Sequence, residues 1–257
     1  MSDTGEPPPR EEPSMEKPKR NWRGFLKEYA VIVIGVLTAL AAEQTAQWLN
    51  WQSEVRTARQ AISAEMMTNN SSFFAFRVAI APCLDRQMNE TQAIITALDT
   101  GSNPKSLAGF RSGLHALISD AEWQSERSSQ VLTHFPREEL ALMSSYYSQL
   151  PNFEEWLGGE GAAWQELSIL QDIPAAISAS DLNRLRINLF IARRMEYLVE
   201  RNSRRELGLS QTIGLPEAVA DPKRVKTFCS RMGLFDWWRW QNATQAGLTK
   251  SAPAGIP

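Results

Sequence analysis

Histidine and cysteine are scarce: 257 residues contain two of each. His115 and His134 stand nineteen residues apart with no second histidine one helical turn away. Cys83 and Cys229 belong to no close Cys/His set, so no metal centre is expected. Net charge is nearly absent, with 27 basic against 29 acidic residues. The chain therefore offers no global field for nucleic acid, and no nucleic-acid partner is expected. Catalytic signatures are missing as well: there is no G-x-S-x-G elbow, no phosphate-cradling glycine loop and no nucleophile beside a base. The adjacent carboxylates Glu138-Glu139 and Glu154-Glu155 point in different directions on a helix, which suits dipole and solvent better than acid-base work. The expectation is a non-enzyme without a cofactor. Period-two alternation is lacking throughout, which argues against sheets, and no internal repeat is visible.

What is present begins with a tail. Residues 1–21 are rich in Pro, Glu, Lys and Ser and carry almost no large apolar groups, too little to offset the entropy of ordering. From Tyr29 to Ala42 runs YAVIVIGVLTALAA, preceded by Phe25 and Leu26 and flanked by Trp22, Trp48 and Trp51. The uninterrupted run is shorter than the roughly 20 residues that cross a bilayer. Starting at Phe25, with Lys27 snorkelling beside Glu28, puts Glu43 about 27 Å further on, near the opposite interface. Lys17, Lys19, Arg20, Arg23 and Lys27 concentrate positive charge before the run, which keeps the N-terminus cytoplasmic. The expected division is a disordered cytoplasmic tail over 1–24, a transmembrane helix over 25–48 and a periplasmic helical domain over 49–257. Two other readings of the run stay open. One is a signal peptide cut at Ala39-Leu40-Ala41, and the other is a core helix of a soluble protein.

The stretch Phe25 to Gln44, FLKEYAVIVIGVLTALAAEQ, resembles the N-terminal segment of uncharacterised single-span inner-membrane proteins of proteobacteria, with a weaker echo from Glu122-Trp123 to Glu138. The resemblance implies topology and supplies no catalytic residues. Under it, the sequons at Asn70, Asn89 and Asn242 are coincidental.

Beyond the run, Trp48, Trp51, Val55, Ala58, Ile62, Met66, Phe73, Phe76, Ile80 and Leu84 recur three or four apart, so the membrane helix is expected to continue as a stalk until Pro82 ends or kinks it. DTGSNP at 99–104 predicts a turn. Pro136 with Glu138 and Glu139 predicts a helix start, leading into Leu140 to Leu150. Gly158, Gly159 and Gly161 predict a break before Trp164, and Ser178 with Asp181 predicts a capped helix stopped by Gly208. The fold expected is all-α: one transmembrane helix continuing into a periplasmic helical bundle.

Four features invite a function. Gly35, Ala39, Ala42 and Ala46 form a small-residue face that lets two membrane helices approach, although glycine and alanine are common in any span. Glu43 marks either a contact inside the membrane or an interfacial residue, depending on depth. Cys83 and Cys229 would form a bridge in an oxidising periplasm; the alternatives are two inert buried thiols or, in a cytoplasmic domain, reduced cysteines with no catalytic motif. Trp237, Trp238 and Trp240, with Phe235 and Arg239, are expected to pack on the bundle, to meet a membrane or partner, or to cage a ligand. The leading expectation is an interaction or scaffold protein of the bacterial inner membrane. Its partners would be the lipid bilayer and either a second copy of itself or another inner-membrane protein. A periplasmic ligand-binding or sensing module that signals through a partner is the alternative.

Overall fold

The computed structural model describes residues 22–107, 118–174 and 176–231, and all regular structure among them is helical. The chain divides after Gln52 into two units, each containing part of the first helix. In the first unit, α1 (Trp22–Asn69) contains a window long and apolar enough to cross a membrane, none of it buried. Its valines, isoleucines and leucines face outward, Val31 at 71% exposure and Ile32 at 64%. Water would penalise such a surface heavily, at about 25 cal/mol per Å² of apolar area. A soluble-core helix would hide it, so the absence of burial counts against that reading.

The second unit begins at Ser53. Here α1 buries one stripe, Ala58, Ile62, Glu65, Met66 and Asn69, in the spacing the sequence shows. At Asn70–Phe74 the helix widens into a π turn, in which the Ala75 N–H donates to the Asn70 carbonyl five residues back. The extra residue rotates the next turn of helix, and Phe73, Phe74, Ala75, Phe76 and Arg77 are all buried in succession. A continuous α-helical stripe cannot do this. Helix α2 (Ala75–Asp99) then runs through Pro82 without ending. A mid-helix proline costs about 3 kcal/mol, but Ile80, Ala81, Cys83 and Leu84 around it are all buried, and tertiary packing prevails over the local preference. The expected turn comes next. Gly101 at φ +75° lets Ser102 N–H reach the Ala97 carbonyl (2.9 Å) and its own N–H reach that of Leu98 (3.1 Å), closing the helix end.

Helix α3 (Ala121–Ser128) leads through a 3₁₀ turn at Val131–His134 into α4 (Arg137–Tyr147), which starts after Pro136 as predicted but stops three residues before Leu150. Glu139 does more than face solvent: its carboxylate takes Nε and Nη2 of Arg59 at 2.6 and 2.8 Å, tying the start of α4 to α1. Helix α5 (Leu150–Leu167) contains Gly158, Gly159 and Gly161 without a break, contrary to expectation. Its buried face (Phe153, Leu157, Ala163, Trp164, Leu167) holds the helix together, and Met195 lies in ordinary contact distance, 3.5 Å, of a virtual Cβ at Gly159. After a 3₁₀ turn at Ser168–Gln171, α6 (Ala179–Thr212) opens on the predicted capping box. The Ser178 hydroxyl receives Asp181 N–H (3.1 Å), and the Asp181 carboxylate receives Ser178 N–H (3.3 Å). Gly208 does not stop it. Termination comes at Gly214, φ +96°, with Leu215 N–H on the Ser210 carbonyl and Gly214 N–H on that of Gln211.

Helices α2, α5 and α6 enclose the core, and α7 (Pro222–Arg231) closes it with Val225, Phe228 and Cys229. Cys229 is bonded to Cys83, with Cα atoms 5.8 Å apart and a sequence separation of 146. Arg224 reinforces this closure: its guanidinium lies 3.9 Å from the centre of the Phe76 ring and donates to the Ser72 carbonyl.

Candidate functional site

Two polar residues on the buried stripe of α1 hold the segment beside one cleft of the domain. Asn69 pairs with the backbone of Ser119 in both directions, donating to its carbonyl (2.7 Å) and accepting from its N–H (2.9 Å). One helical turn earlier, the Glu65 carboxylate accepts from Ser119 Oγ (2.7 Å), from the N–H groups of Glu122 (3.1 Å) and Trp123 (3.3 Å), and from the Tyr147 hydroxyl (2.9 Å). A carboxylate on the free N–H groups of a helix start satisfies donors that have no partner within the helix, and it suits the dipole. Burial and the neighbouring Glu65 both push the Tyr147 hydroxyl well above its usual range, so it stays a donor.

This clamp presses Trp123 flat on Tyr147, ring centres 4.9 Å apart and planes 5° from parallel. Beside the stacked pair opens a cleft of about 570 Å³ between α3, the 3₁₀ turn after it and α4, with Pro151 at its edge. Its wall is mixed. Leu132, Leu140 and Pro151 supply apolar surface, while Asp120, Gln124, Arg127, Ser144 and Ser148 supply polar groups. Gln130, also on the wall, holds φ +66°, ψ −1°. Left-handed backbone costs a residue other than glycine roughly 1–2 kcal/mol, and Gln130 is the only such residue among those described. Gln130 directly follows the C-cap of α3, the position at which a left-handed residue commonly ends a helix.

A second polar feature lies inside the bundle. Arg77 of α2 pairs with Glu160 of α5 at 3.1 Å, both almost fully buried. Glu196, Gln87, Ser203 and Glu206 are buried too. Gln87's amide, two of the Arg77 nitrogens, the Ser203 hydroxyl and one Glu196 oxygen make no hydrogen bond to protein. One guanidinium thus serves several carboxylates. Burial raises Glu196 to about 8 against the pull of Arg77, with Asp85, Glu200 and Glu160 adding to the rise. Glu206 rises to about 7 by burial although Arg205 donates to it at 2.9 Å. At neutral pH Glu196 keeps its proton and Glu206 stands near the middle of its titration.

The residues singled out from the sequence fall elsewhere. Gly35, Ala39, Ala42 and Ala46 lie exposed on α1, with open space where a Gly35 side chain would stand. Glu43 is exposed and accepts from the Gln47 amide at 3.3 Å. Cys83 and Cys229 are brought together. Trp237, Trp238 and Trp240 lie outside the described residues, as does His115, while His134 ends the 3₁₀ turn before α4. No group of three or more His, Cys, Asp or Glu residues among those described is placed to hold a metal ion.

Sequence reasoning missed Glu65, Asn69, Arg77, Glu160 and Glu196. A usable signal existed: each interrupts an apolar stripe at a position where its helix otherwise buries Leu, Ile, Val or Ala. Comparison with protein-family models, with curated proteins and with solved structures finds no match, so geometry alone carries the functional reading.

Proposed function

We propose that this chain is a ligand-binding or sensing module anchored in the bacterial inner membrane by α1, with its helical domain in the periplasm and its signal passed on through a partner. No catalysis is assigned to it. The observation that carries the reading is the cleft beside Trp123 and Tyr147. Its volume, its mixed lining and its rigid aromatic back wall are those of small-ligand sites. The unburied apolar window of α1 supports the anchor. Basic residues before it support a cytoplasmic N-terminus, and the Cys83–Cys229 bond supports an oxidising compartment.

Two measurements test this. A reporter active only in the periplasm, fused after Pro257, should be active while the chain resists alkaline extraction from membranes. A soluble, shortened product would instead identify Ala39-Leu40-Ala41 as a cleavage site. Ligand-observed NMR on the full chain in nanodiscs should find fragments whose binding is lost on Ser144→Trp, which fills the cleft from its exposed rim. If no fragment binds, or if Ser144→Trp changes nothing, the binding reading is wrong.

The scaffold reading has its own observation. On the outer face of α6, Ile187, Phe190 and Tyr197 are more than half exposed and alternate with Arg194 and Arg201, which form no ion pair among the described residues. The spacing of three and four is that of a helix-pairing seam. The uncompensated arginines disfavour a second copy and suit an acidic partner. Photocrosslinking from position 190, abolished by Arg194→Glu with Arg201→Glu, would favour the scaffold reading.

A further inference from the structure

We infer that the cleft beside Trp123 and Tyr147 takes short peptides with both termini free, about three residues long and apolar in the middle. The inference deepens the proposed ligand-binding reading and rests on it.

It starts from the charges on one face of α3. Asp120, Trp123, Gln124 and Arg127 all line the cleft, at the spacing that keeps residues on one side of a helix. Asp120 and Arg127 stand at its two ends, seven residues and thus about 10 Å apart along the axis. Neither charge is neutralised by the other. Arg127 makes no hydrogen bond or ion pair among the described residues. The Asp120 carboxylate receives only the Gln124 amide, through one oxygen at 3.0 Å.

A ligand with a cation at one end and an anion at the other meets both. The separation selects its length: an extended chain advances about 3.3–3.6 Å per residue, so three residues bring an ammonium to Asp120 and a carboxylate to Arg127. A planar carboxylate also suits the forked donors of a guanidinium. Between the ends, Leu132, Leu140 and Pro151 offer an apolar side chain an apolar surface. Gln130 and Ser144, on the same wall, carry an amide and a hydroxyl able to donate to and accept from a peptide backbone.

The test is calorimetry on the full chain in nanodiscs with the tripeptide Ala-Leu-Ala, its N-acetylated form and its C-terminal amide. The free tripeptide should bind saturably at one per chain, and each block should weaken binding at least tenfold. Arg127→Gln should erase the difference between acid and amide while keeping the response to acetylation, and Asp120→Asn should do the reverse. Asp120 makes no side-chain cap to α3, and an asparagine there keeps a carbonyl oxygen for the Gln124 amide, so neither variant removes a helix-holding bond. Equal binding of blocked and free peptides overturns the inference, as does failure of the free tripeptide on protein that still binds fragments in the cleft. The latter outcome leaves the ligand-binding reading standing, whereas loss of both tripeptide and fragment binding removes it as well.

Discussion

Glu196 shows how much one side chain sets the behaviour of this core. Its carboxyl is raised to about 8 in the fold, against roughly 4.3 in an unfolded chain. Between those values the unfolded chain releases a proton that the folded chain keeps. The stabilisation is therefore complete below about pH 4 and is lost as pH climbs towards 8. Arg77 from α2, Asp85 from the same helix, Glu160 from α5 and Glu200 on its own helix all act on it, and only Arg77 favours the charged form. Glu196→Gln keeps the shape and removes the titration. Thermal unfolding measured from pH 5 to 9 should show the wild type losing stability with rising pH. The variant should be flatter and, at pH 8, more stable, on the order of a few kcal/mol at most. An unchanged slope would assign the pH response to Glu206 or to groups elsewhere.

At the scale of elements, α3 is the instructive case, because eight residues with one buried side chain do not hold a helix by themselves. The Glu65 carboxylate holds it from α1. Glu65→Gln keeps the size but replaces an acceptor for four donors with a neutral amide, at a cost of about 1–3 kcal/mol. Hydrogen exchange should quicken over 121–128 well before α5 or α6 responds. Helix α5 permits the opposite experiment: Gly158 has open space around a virtual Cβ, so Gly158→Ala should raise stability by about 0.5–1 kcal/mol in denaturant titrations. Such elements also show which parts of the fold were legible in the sequence. The Ser178–Asp181 box, the Pro136 start and the Gly101 turn were readable because each is settled by neighbours in the chain. The Gly158-Gly159 pair misled, and Pro82 does not end its helix, because packing from distant helices reverses what local propensity predicts. The cleft was unreadable for the same reason. Its clamp joins Glu65 to residues more than fifty positions away, and nothing near Trp123 announces Tyr147 as its partner.

At the scale of the molecule, the Cys83–Cys229 bond is the one covalent constraint besides the backbone among the described residues. Its pairing was the one functional feature legible from composition alone, since two cysteines have only one way to pair within a chain. Closing a separation of 146 residues restricts the unfolded ensemble, and Cys83→Ala with Cys229→Ala should lower stability by about 2–5 kcal/mol. The midpoint of unfolding should fall to the same value when the wild type is reduced. If the double substitution lowers the midpoint further than reduction of the wild type does, the sulfurs contribute through packing as well as through the bond. The bond also makes the long interior of the chain topologically closed. A single proteolytic cut near the Gly101 turn separates no piece from any other, because the two products remain joined through α2 and α7. Such a nicked molecule should migrate as one species on a gel until thiol is added and then resolve into two. One such cut would thus release nothing into the surroundings, and parting its two products would require a reductant as well as a protease.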